Sequence, residues 1–250
     1  MAGTLRRVAA FARPVVHSGY RAAARLGERA AFRVDPYKRP FTVRYEYPPS
    51  ATEAPMYGWG RPNHPGIDAA LGEHVSAYES QLDAILRWEA ELSVISVEPT
   101  GPGELVWRSS WLGALDIASL YTVVRDRQPR RYHEVGSGNS TKVAAMARAD
   151  GGLDLRIRSV DPQPRAEIDA ICDEVLRQPF ELVADRFVAE IEPGDVVFID
   201  CSHRLFSGSD TTVFWLDVLP RLPVGTVVGV HDIHWPQDYP AEWREFLFNE

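Results

Sequence analysis

The chain has 250 residues, 45% of them hydrophobic and 25% charged, values ordinary for a globular protein with a buried core. Its two cysteines, Cys172 and Cys201, exclude a disulfide framework and a cysteine-paired zinc site, and fit a reducing compartment such as the cytoplasm. The net charge of −8 divides into +7 over residues 1–50 and −15 over the rest, and no apolar run is long enough for a membrane span.

Residues 1–30 are rich in Arg and Ala, with Glu28 the single acid. Three readings stay open for this stretch: a peripheral or oligomer-contacting amphipathic helix, a membrane-surface helix, and an organellar targeting segment. Residues 35–66 hold Pro36, Pro40, Pro48, Pro49, Pro55, Pro62 and Pro65 with Gly58, Gly60 and Gly66, which predicts an extended arm. Its aromatics Tyr45, Tyr47, Tyr57 and Trp59 predict that it packs on something. Together 1–66 form a basic extension, 67–128 a helical lead-in and 129–250 the core.

In the lead-in, Leu71, Val75, Tyr78, Leu82 and Ile85 recur at helical spacing and predict a helix with these residues on one face. A second helix is expected over 111–126. Beyond it strands alternate with helices: strands at Tyr132–Val135, Ile157–Val160, Val196–Ile199 and Val227–Val230, and a short one at Phe180–Val183. Helices are expected at Ser140–Arg148, Pro164–Leu176 and Thr211–Leu219. The succession predicts a doubly wound α/β fold, a parallel sheet with helices on both faces.

Glu134-Val-Gly-Ser-Gly-Asn-Ser140 follows the first strand and opens a helix. Gly136 and Gly138 suit a tight turn and close backbone approach to a ligand, and the lack of a following Gly-Lys-Ser/Thr excludes a P-loop. Asp161 ends the next strand, where a carboxylate accepts from a ribose. Turn and acid together indicate a nucleoside cofactor, of either the nicotinamide or the S-adenosylmethionine kind. Asp200, His203, His231 and Asp232 follow two further strands and should meet at the sheet's carboxyl edge. Carboxylates there favour Mg²⁺ or Mn²⁺, and an imidazole tilts the choice toward Mn²⁺ or a softer ion. The plainer readings are a strand cap at His231, a turn at Asp232 and a loop histidine at His203. The basic residues are spread without aromatic interleaving, against a nucleic-acid partner.

The blocks Glu134–Thr141, Ser159-Val-Asp-Pro-Gln-Pro-Arg165, Val197-Phe-Ile-Asp-Cys-Ser-His203 and Val230-His-Asp-Ile233 resemble a class I S-adenosylmethionine-dependent methyltransferase. The likeness is to a bacterial group defined only by its methyltransferase domain, and runs from about Tyr57 to the C-terminus. It implies a Rossmann-like sheet in which Glu134, Gly136, Ser137, Gly138, Asn139 and Ser140 hold the amino-acid part of S-adenosylmethionine and Asp161 its ribose. Asp200, His231 and Asp232 are similar to the metal triad of catechol-type and macrolide-sugar O-methyltransferases, with His231 replacing the usual acid. His203 matches the place of a general base, and a free imidazole titrates at about pH 6.5, suited to that task. The implied reaction is metal-assisted methylation of a small-molecule or sugar hydroxyl, in a possible homo-oligomer. The chain ends at Phe248-Asn-Glu250, so the sheet is expected to stop before the last two strands of the family pattern. Two alternatives are a hydroxylase or oxidoreductase on the same scaffold and a truncated, non-catalytic domain.

Overall fold

The computed structural model describes residues 55–101, 103–109, 111–164, 166–246 and 248. The expectations for the basic N-terminal helix and most of the arm fall outside these residues. The lead-in is helical: α1 (Pro65–Gly72), α2 (Val75–Leu86), the short α3 (Glu89–Leu92) and α4 (Ala114–Arg127). Alternation then begins with β1 (Arg131–Val135), α5 (Asn139–Gly151), β2 (Arg156–Val160) and β3 (Glu174–Leu176). It continues with α6 (Ala184–Ala189), β4 (Val196–Ile199), α7 (Asp210–Val213) and β5 (Val227–Val230). The turn of α7 widens to a π-helix over Phe214–Val218 and tightens again over Leu219–Arg221.

All neighbouring strands pair in parallel, in the order β3-β2-β1-β4-β5. This is the Rossmann-like α/β sheet that the alternation predicts. From β1 the chain winds outward to β2 and β3, then returns to add β4 and β5 on the other side. The direction therefore reverses between β1 and β4, and the crevice at their carboxyl ends is where open α/β sheets take ligands.

Both faces of the sheet are buried, which explains strands that read as continuous apolar runs. On one side Tyr132, Ile157 and Phe198 pack with Ile117, Leu120 and Tyr121 of α4 and Val143, Ala144 and Ala147 of α5. On the other, Val135, Val160, Val197 and Ile199 pack with Phe180, Phe187, Phe214 and Val218. Among the described residues no helix is long and apolar enough to cross a membrane.

Four sequence expectations are corrected. Pro164–Leu176 is not a helix: it holds a 3₁₀ turn at Asp169–Ile171 and then β3, paired to β2 from Arg158↔Glu174 to Val160↔Leu176. The pairing is a tertiary effect on three half-buried residues, too short to show a period of two. Phe180–Leu182 is a 3₁₀ turn rather than a strand, driven by burial of Phe180 beside Phe187. The lead-in helix breaks at Glu73–His74, and its apolar stripe is only partly inward: Ala84 is buried and Ile85 packs on the core, while Val75, Tyr78 and Leu82 are exposed. The expected arm already turns helical at Pro65, the first position of α1, where a missing N–H costs nothing. The remaining described part of that arm does pack, on the segment after β5: Met56 N and Tyr57 N donate to Asp238 Oδ2, and Trp59 Nε1 to the Asp238 carbonyl.

Candidate functional site

Each strand-end residue of interest is held by one more rung of the ladder. Gly136 N donates to the Val160 carbonyl (3.1 Å), Asp161 N to Leu176 (3.1 Å), Asp200 N to Val135 (2.8 Å) and His231 N to Ile199 (2.9 Å). The sheet therefore sets the backbone positions of the glycine turn and the acidic cluster together.

A cavity of about 600 Å³ opens at this edge. Ser137, Gly138, Asn139 and Ser140 line it with Asp200, and Trp111, Leu112, Lys142, Ala166 and Glu167 complete the wall. Glu134 and Gly136 are not among the lining residues, and Asp161 adjoins the lining through Ser137. Asp161 Oδ2 accepts from Ser137 N (2.8 Å) and Oδ1 from Gln163 N (2.7 Å), which ties the end of β2 to the turn after β1. Ser137 Oγ also meets Ser159 Oγ at 2.7 Å. Gly138 N donates to Thr141 Oγ1 (3.0 Å), closing the first turn of α5.

Glu134 is fully buried. Its carboxylate accepts from Tyr132 Oη (2.8 Å) and from the Thr141 hydroxyl, clamping α5 onto β1. Burial pushes its pKa up to about 7, against the bonds from Ser140, Thr141, Tyr132 and Ser137 that favour the anion. The native acid thus keeps its proton to higher pH than the unfolded one, and wild-type stability should fall as pH rises between the two pKa values. Urea unfolding of the protein and of Glu134→Gln across this range checks it. The neutral variant should gain roughly 3 kcal/mol on the wild type between about pH 4 and about pH 8. A pH-independent difference would show that folding does not raise the pKa of Glu134.

The second group lies after β4 and β5. Asp200, His203, His231 and Asp232 each offer a donor atom, and these four atoms lie within 4.8 Å of one another. His203 Nε2 is 3.1 Å from Asp200 Oδ1 and 3.9 Å from Asp232 Oδ2. His231 Nδ1 is 3.4 Å from an oxygen of Asp200 and of Asp232. Both imidazoles are buried, and His203 and Asp232 occupy left-handed backbone conformations (φ 57° and 58°) that fold their side chains back toward the strand ends. Burial works against charge on both Asp200 and His231, but their mutual attraction outweighs it. Asp200, bonded by His203 and facing His231, falls well below the usual carboxylate range. His231, facing Asp116, Asp200 and Asp232, is held up at about 10. Asp232 is raised by burial.

A divalent cation fits this donor set. His231 Nδ1 is buried without a hydrogen bond, aimed between two carboxylates, and such an atom is satisfied by a ligand. Two carboxylates with imidazole nitrogen suit Mn²⁺ better than an all-oxygen Mg²⁺ shell.

The structure adds residues that the sequence reading passed over. Lys142 reaches the cavity wall, and its Nζ bonds Asn139 Oδ1 (3.2 Å). Burial lowers its pKa. Lys142 is one of two lysines beside 25 arginines, an oddity that sequence could flag but not place. Asp116, in the first turn of α4, sets Oδ2 3.6 Å from His231 Nε2. His234, two residues beyond Asp232, is not one of the four clustered residues and packs between Trp59, Tyr239 and Trp243.

Comparison with known proteins follows the same segment. No curated protein matches the chain. Among solved structures it is similar to the S-adenosylhomocysteine-bound methyltransferase PaMTH1 of Podospora anserina, at 19% identity and a TM-score of 0.35, over 65% of this chain and 69% of that one. Residues 133–233, from β1 to just past β5, match the family model described as a methyltransferase domain. By this likeness the alternating sheet segment, and not the helical lead-in before it, is what the chain shares with methyltransferase domains.

Proposed function

We propose that the chain transfers a methyl group from S-adenosylmethionine to a hydroxyl of a small-molecule or sugar acceptor, assisted by a divalent cation. The observation that carries this is the shared cavity: Asp200 of the acidic cluster and Ser137–Ser140 of the glycine turn line one space. A volume of about 600 Å³ is the size of site that encloses a small organic ligand.

In this reading Asp161, at the end of β2, takes the ribose hydroxyls. Lys142 pairs with the carboxylate of the methionine part, the one anionic group of the donor, while Asn139 and Ser140 border it. The cation, held by Asp200, His231 and Asp232, would supply Lewis acidity that eases ionisation of the acceptor hydroxyl. His203 takes the hydroxyl proton, and the Asp200 carboxylate, 3.1 Å from Nε2, stabilises the imidazolium that forms. The oxygen forms its new bond to the methyl carbon as the carbon–sulfur bond breaks, and the sulfonium leaves as a neutral thioether. Trp111, more than half exposed at the cavity mouth, offers a flat wall for a ring acceptor.

Isothermal titration of S-adenosylhomocysteine into the purified chain tests the donor site. One site per chain is expected, and a folded sample that takes up none overturns the reading. Lys142→Met should weaken that binding about 10–100-fold, the range for one charge-assisted bond. Methylthioadenosine, which lacks the carboxylate, should bind both proteins alike. Equal loss for both ligands would assign Lys142 to the shape of the pocket and not to the carboxylate.

A further inference from the structure

Both ring nitrogens of His231 face carboxylates. Nδ1 faces Asp200 and Asp232 at 3.4 Å each, and Nε2 faces Asp116 Oδ2 at 3.6 Å. Asp116 comes from α4, outside the 133–233 methyltransferase segment, and is placed there by the helix start: the same Oδ2 accepts from Gly113 N at 3.1 Å. We propose that Asp116 is a positioning residue for the cation site. Its carboxylate, within ion-pair distance of Nε2, favours the tautomer that carries the proton there and leaves Nδ1 bare toward the cluster. The proposal rests on the cation-assisted reading above and adds what makes an imidazole usable where a third acid would need no such support. A neutral imidazole has one proton to place. A carboxylate behind Nε2 holds it there, leaves the Nδ1 lone pair for the ion, and raises the basicity of the ligand.

The chemistry of Asp116→Asn separates this role from helix capping. One atom serves both contacts, because Oδ2 faces Gly113 N and His231 Nε2 alike. With the amide oxygen in that place the start of α4 is kept, but a neutral and weaker acceptor replaces the carboxylate, so the proton is no longer held on Nε2 and the basicity of Nδ1 falls.

The test uses the full chain stripped with a chelator and Mn²⁺ alone as probe, with bound ion read from loss of the free Mn²⁺ paramagnetic resonance signal. Asp116→Asn is expected to weaken Mn²⁺ binding about 10–100-fold, the range for carboxylates behind ligating histidines. Its thermal midpoint without metal should stay near the wild type, and Asp116→Glu should recover much of the affinity. In a His231→Asp background, Asp116→Asn should change nothing further, because a carboxylate ligand has no second nitrogen to orient. Wild-type affinity in Asp116→Asn overturns the proposal, and so does an undiminished effect in the His231→Asp background, which would mark a plain charge effect. A wild type that takes up no Mn²⁺ overturns it together with the cation reading, while S-adenosylhomocysteine titration still reports on the donor site.

Discussion

Replacing His203 by alanine is expected to lower the rate of methyl transfer about 10²–10⁴-fold, the contribution of a positioned general base. Affinity for S-adenosylhomocysteine should change no more than a few-fold. The two effects should separate because His203 contacts Asp200 and belongs to the acidic cluster, not to the glycine turn that lines the cavity. Its position is fixed by the loop between β4 and α7. Ser202 N donates to Asp210 Oδ2 (3.0 Å) and Arg204 N to Thr211 Oγ1 (3.2 Å), so the residues on either side of His203 are pinned to the first turn of α7. The ring also packs 4.8 Å from Phe248. Alanine therefore removes the proton acceptor while the loop keeps its anchors. The measurement is S-adenosylhomocysteine release with a panel of vicinal-diol acceptors, run beside donor titration. A fall in kcat with unchanged donor affinity supports the base role. An unchanged kcat removes His203 from the reaction, and a parallel loss of donor affinity makes it a structural residue.

The legible part of this molecule was the part that a parallel sheet makes periodic. β1, β4 and β5 are apolar runs buried on both faces, and a loop residue directly after such a run must lie at the carboxyl edge. That rule alone brings Asp200, His203, His231 and Asp232 within reach of one another. β3 was not legible, because three half-buried residues form a strand only by pairing with β2. Asp116 and Lys142 were not legible either, for a different reason. An acid in the first turn of a helix has a sufficient local explanation in capping, and a lysine in the first turn of α5 carries no sign of which way it points. Only the packing of α4 against the sheet turns Asp116 toward His231. Glu134 shows the converse: the motif put it beside the cofactor, while the fold buries its carboxylate beneath the turn, where Tyr132 and Thr141 hold it.

Gly136 and Gly138 look interchangeable in the motif, yet their substitution should fail in different ways. Gly136 has φ +80°, and a Cβ built there would lie 1.7 Å from the carbonyl oxygen of Asp200. Neither partner can withdraw. Gly136 N is bonded to Val160 and Asp200 N to Val135, so separating them opens the ladder at the junction of β1, β2 and β4. Gly136→Ala is therefore expected to cost roughly 3–5 kcal/mol, from overpacking against backbone added to a left-handed alanine. In urea the midpoint should fall by about 2 M at a slope of about 2 kcal/mol/M. Any variant that folds should have displaced Asp200, and lost Mn²⁺ with it. Gly138 has φ 172°, open to any residue, and a Cβ there meets nothing within 4 Å. Its missing side chain is space in the cavity wall. Gly138→Ala should remain folded and lose affinity for S-adenosylhomocysteine, because the methyl group enters the volume the ligand occupies. If instead Gly136→Ala is mild, the close approach of β1 and β4 is not rigid, and the coupling between donor turn and acidic cluster is weaker than the shared ladder implies.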